Sequence, residues 1–231
     1  MVEIYSFKIN NENEELFYSD LKPLISIKRQ DIIKRFRKVD DAKRSILSEI
    51  LIRMIIMKRF KLKNEEINFN SNCYGKPFFN GVEDFHYNIS HSGDWIICAI
   101  NNMEIGIDIE KIQPVDFEIA EQFFSKEEYY DLMRKKDMDR IEYFYELWTL
   151  KESYIKAIGK GLSIPLNSFS LSVENKIITL DNKKKENKDF YFKQYNIDSN
   201  YKMAVCCYKE EFCIDVTQFT VEDIYREMCI E

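Results

Sequence analysis

Two acidic side chains, Asp108 and Glu110, stand two residues apart in the run Ile105-Gly106-Ile107-Asp108-Ile109-Glu110. On a strand, side chains alternate, so both acids share one face while Ile107 and Ile109 take the other. Like charges on one face repel unless a cation or water relieves them. The plain alternative is a solvent-exposed strand face. A third acid, Glu152, borders the apolar stripe Phe144, Leu147, Trp148, Ile155 and Ile158 of a long helical run. A carboxylate beside a buried stripe needs a partner. Lys156, one turn on, offers an ordinary i,i+4 ion pair. A divalent metal shared with Asp108 and Glu110 is the functional alternative. Three carboxylates completed by water and substrate oxygens suit Mg²⁺, with Mn²⁺ as its substitute, and do not suit zinc.

The surrounding residues favour phosphate. His91 lies in Ser90-His91-Ser92-Gly93, which reads as a tight loop between two strands. Hydroxyls and an imidazole on such a turn are better placed to hold phosphate oxygens than to act as a nucleophilic pair. His86 reads as structural or exposed. Residues 28–44 carry Lys28, Arg29, Lys34, Arg35, Arg37, Lys38, Lys43 and Arg44 against Asp31, Asp40 and Asp41. That excess suits either a solvated helix face or a site for phosphate or an acidic partner. Lys76, Lys151 and Lys156 add positive charge near the acids. Neither Gly-x-x-x-x-Gly-Lys-Ser/Thr nor Gly-x-Gly-x-x-Gly occurs, so the common nucleotide cradles are absent.

These groups need elements to hold them. The 231 residues, 45% of them hydrophobic, suffice for one large core or two small ones. A net charge of −6 argues against a nucleic-acid binder by bulk charge. The most apolar stretch, 46–60, contains Glu49, Arg53, Lys58 and Arg59, too short and too charged to span a bilayer. Residues 1–10 lack a secretory core. The six cysteines form no C-x-x-C pair and read as small reduced core residues. A cytoplasmic protein without a membrane segment is expected.

Strands are expected at 4–9, 85–89, 95–100 and 104–110, and later at 170–173, 176–180, 190–195 and 202–208. Helical patterns cover 14–21 and 25–36. Two long amphipathic helices follow, one from a cap at Asp40 or Asp41 to about Leu62, the other from about Asp139 to a stop at Gly159. Ser125 and Glu128 form a capping box for a short helix, and a last helix is expected at 221–228. The run 183–188 reads as a solvated hairpin tip. Each half has a long helix, a Gly-Lys turn (Gly75-Lys76, Gly159-Lys160), a proline (Pro77, Pro165) and then antiparallel strands. We read this as an internal duplication in an α+β protein. Its two similar lobes, 1–111 and 112–231, would each pack a long helix on a small antiparallel sheet, with one site at their interface.

Two motifs, Ile105-Gly106-Ile107-Asp108-Ile109-Glu110 and Trp148-Thr149-Leu150-Lys151-Glu152-Ser153-Tyr154-Ile155-Lys156, carry a family resemblance. Tyr74-Gly75-Lys76-Pro77, Asn88-Ile89-Ser90-His91-Ser92, Phe123-Phe124-Ser125 and Gly159-Lys160-Gly161-Leu162 add to it. Together they resemble the 4′-phosphopantetheinyl transferases of the large, surfactin-synthetase-activating (Sfp-like) type. The resemblance implies a pseudo-twofold fold. It implies transfer of the phosphopantetheine arm of coenzyme A to a serine of an apo acyl or peptidyl carrier protein, with release of 3′,5′-ADP. Asp108, Glu110 and Glu152 match the Mg²⁺ ligands. Lys76, Ser90 and His91 match coenzyme A contacts, as does Arg44. Lys151 and Lys156 match lysines flanking the pyrophosphate. The early basic positions fall out of register, so the contact goes to Lys28 or Arg29. Candidate bases for the serine proton are Glu152, Glu128 and a metal-bound water. Ile109 cannot ligate. Two fused lobes make a monomer sufficient. A different Mg²⁺ enzyme that hydrolyses coenzyme A, or a non-catalytic binding module, are the competing readings.

Overall fold

The computed structural model describes residues 1–9, 19–174, 177–182 and 189–228. Most of the helix expected at 14–21, the charge run 183–188 and Cys229 lie outside the described residues.

The chain begins with β1, Glu3–Lys8, whose alternating pattern buries Ile4. Helix α1, Ile27–Ile33, is capped by Ser26, whose hydroxyl accepts from the Arg29 amide at 3.2 Å. The long helix α2 spans Val39–Phe60. Neither Asp40 nor Asp41 caps it, against expectation. Lys38 holds the cap position in an extended conformation, and the two acids fall in the first turn, where they offset the positive end of the helix dipole. A hairpin unforeseen in the sequence follows, β2 (Phe69–Ser71) with β3 (Pro77–Phe79). Next come β4 (His86–Ser92), β5 (Trp95–Asn101) and β6 (Ile105–Lys111). β4 outruns its expected end by three residues, so Ser90 and His91 sit on a strand and not in a loop.

The second half opens with α3 (Glu118–Phe123) and α4 (Lys126–Arg134). The Ser125–Glu128 capping box forms as expected. Helix α5, Asp137–Ile158, is the second long helix, closed by Gly159 at φ 75°. Then follow β7 (Ser170–Glu174), β8 (Ile177–Asp181), β9 (Tyr191–Gln194), β10 (Tyr201–Cys207), β11 (Thr217–Phe219) and α6 (Val221–Met228).

Two sheets organise the fold. One has the order β11-β1-β5-β4, the other β6-β10-β9. The lobes match in connectivity. In each, a first strand (β1 or β6) pairs antiparallel with the second strand of a hairpin (β4–β5 or β9–β10), and a long helix (α2 or α5) lies between them in sequence and packs on the sheet. The α+β, two-lobe expectation therefore holds. One detail differs, because β11 joins β1 in parallel and makes the first sheet mixed. The chain also crosses over. β6, which ends the first 111 residues, is laddered to β10 along its length, and α6 returns Ile224 and Met228 to the core around α2.

Among the described residues, Cys98, Cys206 and Cys207 are buried and free, as expected. Cys73 is exposed and Cys213 half-buried, against the core reading. No described helix is long and apolar enough to cross a membrane.

The tightest join in the second lobe is at Gly106. A Cβ there would overlap the Ser153 carbonyl oxygen and the Ala157 amide nitrogen of α5. Helix backbone thus lies directly on strand backbone, and neither partner is a flexible side-chain tip that could swing aside. Gly106→Ala is expected to cost about 3 kcal/mol, the upper end of overpacking penalties. Denaturant unfolding checks this, and a variant as stable as the wild type contradicts the contact.

Candidate active site

Three elements converge on one cleft of about 360 Å³. β4 brings Ile89, Ser90 and His91, β6 brings Asp108 and Glu110, and α5 brings Trp148, Glu152 and Lys156. The α5 residues recur every fourth position, which places them on one helical face. The close approach at Gly106 lays that face beside Asp108. Ile107 and Ile109 are fully buried on the opposite side of β6, as alternation requires.

Asp108 is the centre. Its Oδ1 accepts from the Ser90 hydroxyl at 2.7 Å and from the Lys156 ammonium at 2.6 Å. Lys156 also donates to Ser90 Oγ at 3.1 Å and to the Ile107 carbonyl at 3.3 Å. So Lys156 takes Asp108 as its ion-pair partner, not the Glu152 one turn away. Asp108 Oδ2 is buried and has no hydrogen-bond partner. Glu110 Oε2 accepts from the Ser92 hydroxyl at 2.8 Å. Burial, then the Asp108 charge, pushes the Glu110 carboxyl up to about 7 against the help of Ser92 and Lys156. The same two causes raise Glu152. Three acids are thus crowded into poorly hydrated space with one ammonium between them. A hard divalent cation fits that donor set, and the orphaned Asp108 oxygen fits a ligand atom. Among the described residues no three such side chains already converge as a finished metal cage, and Lys156 supplies positive charge to Asp108 in its place.

The other expected residues distribute unevenly. His91 lies exposed at the rim; desolvation, then the charges of Arg44 and Lys156, lower its pKa. Arg44 donates to the Gly93 carbonyl at 3.1 Å and to Asp41 at 2.6 Å. Arg29 is committed to Glu49, 3.2 Å away, inside a network that includes Arg53. Lys28 is exposed, with Ser71 Oγ at 3.4 Å, so of the two it is the one open to an incoming ligand. Lys76 is outside the cleft lining. Its ammonium bonds Glu104 at 2.6 Å, the Ile105 carbonyl at 3.1 Å and the Ala157 carbonyl at 3.4 Å, near the end of α5.

Lys151 and Glu128 are placed elsewhere than expected. Lys151 is fully buried and donates to both Glu128 oxygens at 2.7 Å and to the Phe169 carbonyl at 2.9 Å. Glu128 also accepts from the Ser125 and Leu171 amides, each at 2.7 Å. Burial lowers the Lys151 pKa, and Glu128 opposes that. Neither residue lines the cleft, so neither is placed to meet a pyrophosphate or a serine proton. The position of Lys151 beside Glu152 misleads because adjacent helical residues point about a quarter-turn apart, and Glu128 is held on another helix by its capping box and by Lys151.

Two residues quoted in the sequence only as parts of a motif or turn take specific roles in the structure. Asn88 accepts from the Ile107 amide at 2.8 Å, and Ser92 contacts Glu110. With Ser90 they repeat every second residue, a signal hidden by ending the strand at Ile89.

Two family models match the chain. Residues 104–206 match the model of the 4′-phosphopantetheinyl transferase superfamily, and residues 14–103 match that of the 4′-phosphopantetheinyl transferase N-terminal region. The 4′-phosphopantetheinyl transferase Sfp of Bacillus subtilis (strain 168) is 40% identical over 216 residues, spanning 94% of this chain and 95% of its own. The chain belongs to the Sfp-like 4′-phosphopantetheinyl transferases. The 4′-phosphopantetheinyl transferase gsp of Aneurinibacillus migulanus is 39% identical over 225 residues, 97% of this chain and 94% of its own. The transferase is therefore an enzyme.

The buried Lys151–Glu128 pair gives a sharp test of its structural role. Lys151→Met in the transferase strands a buried carboxylate and is expected to cost roughly 3–5 kcal/mol. Adding Glu128→Gln should recover part of that loss in denaturant unfolding, because it removes the unpaired charge while its amide oxygen can still accept from a backbone amide.

Proposed function

We propose that this transferase moves the 4′-phosphopantetheine arm of coenzyme A onto a serine hydroxyl of an apo acyl or peptidyl carrier protein, releasing 3′,5′-ADP. Mg²⁺, or Mn²⁺ in its place, would be held by Asp108, Glu110 and Glu152. The observation that carries this reading is the unpartnered, buried Asp108 Oδ2, which shares its cleft with two further acids of raised pKa. When bound, the cation neutralises pyrophosphate oxygens and polarises the phosphorus.

The chain's own residues do the rest. Lys156 is the ammonium placed to meet the pyrophosphate and to stabilise charge on the departing phosphate. Ser90 holds Asp108 and orients Lys156. His91 offers a hydrogen bond at the rim, and Arg44 and Lys28 offer positive charge for the remaining phosphate. The attacking serine oxygen forms the new bond to phosphorus as the pyrophosphate P–O bond breaks. The serine proton needs an acceptor in the cleft, and Glu152, raised by burial, is the candidate base. Lys76 is retained as a coenzyme A contact only if it leaves its place at Glu104.

The lobes 1–111 and 112–231 are proposed as the working halves, with β6 lent to the second sheet and β11 and α6 returned to the first. One chain completes one cleft, which supports a monomer. A cytoplasmic enzyme without nucleic-acid or membrane partners completes the proposal; the pI of about 5.3 argues against nucleic-acid binding by bulk charge.

Mass spectrometry of an apo carrier incubated with coenzyme A, Mg²⁺ and this protein should show the added arm on its serine. Asp108→Ala is expected to lower transfer by at least about 100-fold, since charge stabilisation of this kind is typically worth that much. Cleavage of coenzyme A with water as acceptor, and no carrier modified across fatty-acid, peptide and polyketide types, would sink the proposal.

A further inference from the structure

The two sheets meet edge to edge without a backbone ladder. β4 hydrogen-bonds only to β5 and β6 only to β10 among the described strands. Side chains bridge the gap instead. Asn88, Ser90 and Ser92 are two apart on β4 and so share a face. Asn88 accepts from the Ile107 amide at 2.8 Å, Ser90 donates to Asp108 at 2.7 Å, and Ser92 accepts from the Lys111 amide at 3.1 Å and donates to Glu110 at 2.8 Å.

The bond at Ser92 has a fixed sense. A serine hydroxyl has one proton and two lone pairs. The Lys111 N–H is a donor, so it occupies a lone pair of Ser92 Oγ. The hydroxyl proton is then directed to Glu110 Oε2. Ser92 itself is held by its ladder position opposite Trp95 at the tight end of the hairpin. It does not line the cleft, so whatever it does there it does through Glu110. The result is one carboxylate oxygen tied back to the rigid edge of β4.

We propose that Ser92 is a positioning residue that fixes the Glu110 carboxylate for the divalent cation. This rests on the reading of Asp108, Glu110 and Glu152 as the metal-binding acids. A hydrogen-bond partner behind a ligating group sets its orientation, and its loss typically weakens metal binding by 10–100-fold. The alternative role for Ser92 is that of a stitch between sheets, which would affect stability alone.

Calorimetric titration of Mn²⁺ into the full-length protein, without coenzyme A or carrier, separates these. Ser92→Ala is expected to bind Mn²⁺ about 10-fold more weakly than the wild type, with the metal-free melting temperature little changed because water replaces the exposed Lys111 contact. Ser92→Thr keeps the hydroxyl and should restore binding. In the transfer assay, Ser92→Ala should need about 10-fold more Mg²⁺ for half-maximal rate, with the rate recovered at saturating Mg²⁺. Equal Mn²⁺ affinity in wild type and Ser92→Ala overturns the inference and leaves the metal reading standing. Weakened binding that Ser92→Thr does not restore, or that tracks a lost melting transition, also overturns it in favour of the stitch. If the wild type binds no Mn²⁺ or Mg²⁺, the metal reading itself falls and takes this inference with it.

Discussion

The backbone-to-backbone contact at Gly106 sets the geometry on which the cleft depends. Any side chain at that position would push α5 away from β6, since the obstructing atoms are the Ser153 carbonyl and the Ala157 amide of the helix itself. With the gap closed, the face of α5 that carries Trp148, Glu152 and Lys156 lies against the face of β6 that carries Asp108 and Glu110. The 2.6 Å bond from Lys156 to Asp108 is a direct product of that distance. A strand and a helix remote in sequence thereby contribute to one cluster of charge.

That cluster is unfavourable by itself. Three carboxylates are taken partly out of water, and their mutual repulsion and desolvation raise Glu110 and Glu152. Lys156 and the hydroxyls of Ser90 and Ser92 relieve part of this. The buried Asp108 Oδ2 remains without a partner. Elsewhere the fold satisfies buried charge thoroughly. Lys151 and Glu128 share two short bonds and take three backbone partners between them, and Glu49 gathers Ser26, Arg29 and Arg53. The contrast is physically informative. The buried ions outside the cleft are fully paired, whereas the cleft keeps one buried acid oxygen without a partner.

The repeated connectivity of the two sheets bears on where the cleft lies. Each lobe supplies a strand, a long helix and a hairpin, and the free edges β4 and β6 face one another. Edge strands with unpaired groups invite association. Here the edges are joined by the side chains of Asn88, Ser90 and Ser92, and the serines also hold the acids. The same side chains therefore bridge the two sheets and contact the acids of the cleft. The crossover of β6, β11 and α6 binds the lobes further, so that the site is built on one continuous packing arrangement.

Sequence alone determined a good deal of this. Alternation in 105–110 placed Asp108 and Glu110 together and sent Ile107 and Ile109 to the core, because a strand's period is fixed by local backbone geometry. The 3.6-residue pattern located α2 and α5, Gly159 marked the end of α5, and Ser125 with Glu128 declared their capping box, all within one or two turns of chain. Tertiary structure decided what no local period encodes. It sent Lys151 and Glu128 to each other and away from the cleft, because the phase of α5 against its neighbours assigns each helical residue a surrounding. It turned Lys156 from Glu152 to Asp108, since a partner across the interface lay closer than the one a turn away. It committed Arg29 to Glu49 and left Lys28 open, and it carried β4 on to Ser92, where an edge that meets another sheet gains partners a solvent-facing loop would lack. The acids at 108, 110 and 152 were legible as candidates from spacing; the oxygen left without a partner among them became visible only once three elements were packed together.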